Sequence, residues 1–150
     1  MLTLTRKTEY GLIALCHLTQ GGQKVVSARD IAEDRGVPLP LLMNILKKLN
    51  RSGYVSSVRG AHGGYVLAVA PERITLADLI EAVEGPVSLV RCTNPSKTAR
   101  KCGLTSQCFI RRSVVKLHER LCTFLGAVTI ADIALDDLRS APSDLAKVVS

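Results

Sequence analysis

The sequence predicts a mainly α-helical chain with one β-hairpin, and three observations carry that expectation. Apolar residues recur at helical spacing in four stretches. A glycine-rich connection joins two short runs of β-forming residues. Of the 150 residues, 47% are hydrophobic yet only 3% aromatic, so the core is aliphatic and suits packed helices better than a sandwich. That length is one domain, or one small domain with an appended element. The hydrophobic content excludes a disordered chain.

Leu12, Leu15, Cys16 and Thr19 fall at i, i+3, i+4 and i+7, which makes residues 4–20 an amphipathic helix stopped by Gly21 and Gly22. Ser27 followed by Asp30 is a capping-box start for a short helix over 28–34, closed by Gly36. Pro38 or Pro40 fits the first turn of the next helix, where a missing N–H costs little. There Leu42, Ile45, Leu46 and Leu49 form an apolar stripe, with Asn44, Lys47, Lys48 and Arg51 roughly opposite and Gly53 at the end. Residues 54–58 and 65–69 read as strands around the connection 59–64. Thr75 and Asp78 open a helix bearing Leu76, Leu79, Ile80 and Val83, ended by Gly85 and Pro86.

Residues 91–107 have no periodicity and form a loop. Ile110, Val114, Leu117, Leu121, Phe124 and Val128 then alternate at intervals of four and three, the heptad spacing of a helix that pairs with another. Thr129 and Asp132 repeat the start seen at Thr75 and Asp78, opening a last short helix before a tail over 136–150.

Two short helices joined by a glycine-containing turn, the second with a basic face, describe a helix-turn-helix. The hairpin directly after it makes a winged helix. The expected fold is therefore mainly α: a winged helix-turn-helix with a long C-terminal dimerisation helix. Residues 1–85 form the DNA-binding domain with its wing at 54–69, residues 86–109 a cysteine loop for a cofactor, and residues 110–135 the dimerisation helix and short terminal helix.

The net charge of +7 is blocky. Residues 1–70 carry nine Lys/Arg against four acids, and residues 91–120 carry eight against one. Between them, 71–90 has one against four. Two separate basic regions point to a polyanion, here double-stranded DNA. Asn44 suits paired hydrogen bonds to a base edge, whereas Lys47, Lys48 and Arg51 suit phosphates. Arg59 stands at the wing tip, where it can enter a narrow minor groove, with His62 beside it.

Five cysteines, an odd number, do not suggest a secreted disulfide framework. The apolar run 11–18 is interrupted by His17 and lacks a small-x-small cleavage site, so it is not read as a signal peptide. No run reaches the roughly 18 residues of a membrane span. A reduced, cytoplasmic chain with no membrane partner is expected. Cys16 and Cys122 lie on periodic helices and read as packing residues. Cys92, Cys102 and Cys108 gather around the one irregular segment among Arg91, Lys97, Arg100, Lys101, Arg111 and Arg112. Such a cationic field stabilises thiolates and offsets the charge of a thiolate-ligated iron–sulfur cluster. Three thiolates are one ligand short of a closed site. A cofactor-free thiol switch and a zinc site are the alternatives.

Residues 41–49 (LLMNILKKL), Gly53-Tyr54-Val55, residues 58–68 (VRGAHGGYVLA), Thr8-Glu9-Tyr10 and residues 74–79 (ITLADL) together carry a resemblance. With the three-cysteine loop before a long helix, they resemble the Rrf-type winged-helix transcription regulators that include IscR and NsrR. The likeness spans roughly residues 2–135. It implies a homodimer whose long helices pair, with an iron–sulfur cluster on Cys92, Cys102 and Cys108 near the interface. In nitric-oxide-sensing members a carboxylate from the first helix of the other subunit completes the site, and Glu9 stands at the matching place. IscR-like members have a histidine where this chain has Arg111, and the first cysteine interval here is longer, so 2Fe–2S and 4Fe–4S both stay open. The expected function is a regulator, a repressor of its operator, that senses nitric oxide, iron or redox state and is not an enzyme. The rivals are a thiol/disulfide regulator without cofactor and, from another class, an iron–sulfur electron carrier or enzyme subunit.

Overall fold

The computed structural model describes residues 3–90, 93 and 107–135. Cys92, Cys102 and the tail 136–150 lie outside them. Among the described residues six α-helices and one hairpin follow in order: α1 (Arg6–Gln20), α2 (Ala28–Arg35), α3 (Leu39–Arg51), β1 (Val55–Val58), β2 (Gly64–Leu67), α4 (Leu76–Glu84), α5 (Arg111–Ala127) and α6 (Ile130–Ala134). A short 3-10 turn over Pro71–Arg73 precedes α4. None of the described helices is long and apolar enough to cross a membrane.

Local chemistry sets the helix ends. Thr5 caps α1 by accepting from the Thr8 amide, and Ser27 caps α2 by accepting from the Asp30 amide. Gly36 closes α2 in the left-handed region at φ +64°, a conformation that a side chain disfavours. Pro38 is the N-cap of α3 and Pro40 sits in its first turn, so neither removes a helical hydrogen bond.

α1 lies at the centre, against α2, α3, α4, α6 and β2. Its buried residues are Thr8, Gly11, Ala14, Leu15 and Leu18, whereas Leu12, Cys16 and Thr19 are only half-buried. The inward face is thus turned from the stripe that apolar spacing predicts. The reason is close packing: a Cβ at Gly11 would stand 2.8 Å from Leu79 Cδ1 and 3.4 Å from Ile45 Cγ2. Small residues let three helices meet there, and hydropathy does not register them as buried.

α3 behaves as predicted. Leu42, Ile45, Leu46 and Leu49 are all buried, and Asn50 Nδ2 donates to the Val55 carbonyl at 2.9 Å, tying the helix to the hairpin. β1 and β2 pair antiparallel with Val55 opposite Leu67 and Val58 opposite Gly64. Val26, in the approach to α2, exchanges hydrogen bonds of 2.8 and 2.9 Å with Tyr65, adding a single residue pair to the sheet.

The two similar helix starts are neighbours in space. Thr75/Asp78 and Thr129/Asp132 each form a full capping box. Thr75 and Thr129 then pair as an antiparallel bridge through Leu76 N to Val128 O and Ile130 N to Ile74 O, both 2.8 Å. This return brings Ile130, fully buried, into the same core as α1, α3 and α4. The segment after the long helix therefore completes the core built by α1, α3 and α4.

Candidate nucleic-acid interface and cysteine-loop site

Burial of one stripe of α3 aims the opposite stripe outward. Asn44, Lys47 and Arg51 are exposed there, beside half-exposed Met43. At about 100° per residue, these three lie within about 30° of the direction opposite the buried stripe, while Lys48 lies about 70° from it. Lys48 is exposed along its stem, but its ammonium donates to the Val83 carbonyl of α4. The structure thus splits the predicted basic stripe: three residues face solvent and one turns to a neighbouring helix. Sequence reading missed Lys7 on α1, which joins Asn44, Lys47, Lys48 and Arg51 around an open groove of about 320 Å³, with Val83 at the side where the Lys48 ammonium is held.

The wing presents Arg59 and His62, both exposed, at its tip. Gly60 stands at φ +123° and its carbonyl accepts from the Gly63 amide at 3.0 Å, which turns the chain. Gly63 and Gly64 serve a different end from the one their mere presence suggests. A Cβ at Gly63 would lie 2.5 Å from the Val58 oxygen, and one at Gly64 would run into the Val26 carbonyl. Their bareness lets the hairpin close on itself and seat against the approach to α2.

Of the predicted ligand set, Cys108 and Glu9 are described. Cys108 is a free, half-buried thiol just before α5 and shares a concavity with Arg111, Arg112 and Lys116, three cations against the one carboxylate of Glu119. That positive lining suits an anionic, thiolate-bound group. Glu9 is exposed in the first turn of α1. Among the described residues no three His, Cys, Asp or Glu side chains converge on one point. Cys16 is a packing residue: burial pushes its thiol up, with Arg35 opposing. Cys122 lies half-buried with Sγ 3.6 Å from His118 Nε2 one turn away.

The model of Rrf2, described as an iron-dependent transcriptional regulator, matches residues 4–136. The chain belongs to the Rrf2 family. It is 30% identical over 145 residues to the HTH-type transcriptional regulator IscR of Cereibacter sphaeroides, covering 95% of this chain and 93% of that one. With the HTH-type transcriptional regulator NsrR of Bacillus licheniformis it shares 31% identity over 136 residues, 90% of this chain and 94% of the relative. The structure of CymR (YrzC), the global cysteine regulator of B. subtilis, superposes with a TM-score of 0.69 at 28% identity, over 89% of this chain and 97% of that one. Rrf2 proteins are transcription regulators and not enzymes, so the reading as an electron carrier or enzyme subunit falls.

Two further findings refine this Rrf2 chain. Arg35 donates to His17 Nδ1 at 2.9 Å and to Gln20 Oε1 at 2.8 Å, bracing α1 against α2, so not every cation of the first basic region is free for a polyanion. On α5 the heptad positions divide. Ile110 and Leu117 are 49% and 58% exposed and Val114, Leu121 and Phe124 half-buried, but Val128 is 4% exposed. Val128 is therefore corrected from an outward dimerisation position to a core residue, because the Thr75–Thr129 bridge pulls the end of α5 inward. Phe109, not singled out from spacing, is 94% exposed just before the stripe.

Proposed function

We propose that this regulator works as a homodimer that grips duplex DNA through α3 and the wing of each subunit, with an iron–sulfur cluster setting its operator affinity. The observation that carries the DNA part is the outward Asn44, Lys47 and Arg51 face of α3 next to the exposed wing tip with Arg59 and His62. Asn44 reads a base edge, Lys47 and Arg51 hold phosphates, and Arg59 enters the minor groove with His62 on its rim. Residues 1–85 make this contact, 86–109 hold the cofactor, and Ile110, Val114, Leu117, Leu121 and Phe124 face the partner. About six to eight phosphate contacts per dimer give a log–log salt slope of about −5 to −7. A slope near zero on duplex DNA would overturn the reading.

Cys92, Cys102 and Cys108 would hold the cluster, with Glu9 of the partner subunit as fourth ligand. Free Cys108 under Arg111, Arg112 and Lys116 supports this donor set. When bound, the cluster supplies a labile redox- and nitric-oxide-reactive centre. Glu9 ties that centre to the helix at the middle of the DNA-binding unit, and the proposed outcome is repression relieved by the signal. Absorption and Mössbauer spectra of anaerobically purified protein test cofactor and nuclearity together. Cys92→Ala, Cys102→Ala and Cys108→Ala should each leave operator binding insensitive to nitric oxide and oxidant; three variants that respond as wild type would exclude the cluster switch. One observation favours a second reading, the likeness to CymR, a cysteine regulator. In that reading two loop cysteines form a disulfide, and absence of iron and acid-labile sulfide in the anaerobic protein would select it.

A further inference from the structure

Lys48 connects the recognition helix to the end of the helix that leads into the cysteine loop. The last turn of α4 contains no basic residue of its own. The carbonyls at a helix C-terminus lack intrahelical partners and carry the negative end of the helix dipole. Lys48, from α3, brings its ammonium to one of them, the Val83 carbonyl. Val83 is held from the other side too: its side chain is buried in the core at the point where Gly11 of α1 and Ile45 of α3 meet it. One residue of α4 is thereby held by α3 through its backbone and lies against Gly11 of α1 through its side chain.

The following residue reaches α1. The Glu84 carboxylate accepts from the hydroxyl of Thr5, which is also the N-cap of α1. Glu9 lies in the first turn of that same helix. Immediately after Glu84 the chain turns at Gly85, φ +99°, and leaves through Pro86 towards Cys92. Residues 83 and 84, at the end of α4 just before the cysteine loop, are thus bound to α3 and to the N-terminus of α1.

We propose that Lys48 is a positioning residue, not a phosphate contact: with Val83, Glu84 and Thr5 it forms a clamp through which the segment leaving α4 sets the position of α3. This deepens the DNA-binding, signal-controlled reading above and rests on it. A pull on Gly85 shifts residues 83 and 84, the carbonyl carries Lys48 with it, and the face bearing Asn44, Lys47 and Arg51 moves against the groove. Because Lys48 and Lys47 are adjacent, sequence alone gives them one role. The direction of their side chains gives them two.

The full-length dimer separates these roles when Lys48→Met is compared with Lys47→Met on an operator duplex. Loss of a phosphate contact in each subunit makes the salt slope less negative by about 2 per dimer. Lys47→Met should show that change, and Lys48→Met should leave the slope as in wild type. A Lys48→Met slope reduced like that of Lys47→Met overturns the proposal. Comparing the anaerobically purified protein with the same protein after nitric oxide, Lys48→Met should shrink the affinity ratio between the two states towards 1, against a wild-type ratio of about 5 to 150. An unchanged ratio also overturns it. If wild type itself shows no ratio, the signal reading has failed, and the clamp is then decided by Glu84→Gln. Glu84→Gln and Lys48→Met should act non-additively on operator affinity, and additive effects refute the clamp. Independently of DNA, Lys48→Met but not Lys47→Met should speed amide exchange over residues 81–85 of the free protein; equal exchange in the two variants counts against the proposal.

Discussion

Gly64 shows how much one absent methyl decides. Its α-carbon faces the Val26 carbonyl so closely that any Cβ meets backbone, which cannot rotate away. Gly64→Ala should therefore separate the wing from the approach to α2, disrupting the Val26–Tyr65 pair, at a cost of about 1–3 kcal/mol. Urea unfolding measures it, and Gly126 on α5, with open space around it and no left-handed φ, is the control site. Two other residues give the fold an alkaline limit. Burial pushes up the Cys16 thiol, and burial followed by neighbouring Asp78 pushes up the Tyr54 hydroxyl. Each group holds its proton more tightly folded than unfolded. Its contribution is thus present at neutral pH and declines as pH rises through the thiol and phenol ranges. Thermal unfolding across that range should fall less steeply for Cys16→Ala and Tyr54→Phe than for wild type; parallel curves would contradict the assignment.

At the scale of elements, α3 serves two partners. Its inward stripe was fully legible because four large aliphatic residues at helical spacing have one way to be buried. The outward stripe was legible as a face, but Lys48 was not legible as a separate residue, because its partner is a backbone carbonyl 35 positions away. Asn44→Ala should alter which operator sequences are preferred by about 1–3 kcal/mol at one base pair while leaving the salt slope unchanged. Binding across a set of single-base operator variants reads this out, and a uniform loss across all of them would assign Asn44 to the phosphates instead. The matching Thr75 and Thr129 starts were visible as a repeat; their pairing was not. Nothing in either pentapeptide says that the two caps meet as a bridge.

The whole molecule puts its charge and its apolar surface to separate uses. Arg35 braces α1 and α2, Lys48 serves α4, and the remaining exposed cations of α3 and the wing face solvent, where the proposed DNA contact needs them. α5 and the two residues before it carry apolar side chains outward at Phe109, Ile110 and Leu117, while the far end of the helix is drawn into the core. Leu117→Glu should consequently give a folded monomer with weakened operator binding, whereas Ile130→Ala, at a fully buried position, should cost about 2–5 kcal/mol. Sedimentation velocity and thermal unfolding distinguish these outcomes, and a dimeric Leu117→Glu protein would remove α5 from the interface.

The sequence by itself determined the helices, the caps of α2, α4 and α6, the hairpin, the exposed basic face and the two basic regions, because each depends on neighbours within a few residues or on a regular period. Tertiary structure alone decided which face of α1 turns inward, that Val128 and Ile130 belong to the core, why the wing needs Gly63 and Gly64, and where Lys48 points. Each of these depends on a close approach between segments far apart in the chain. Steric contact and hydrogen bonding act over a few ångströms in space, and no local pattern of residues records which distant backbone will be there.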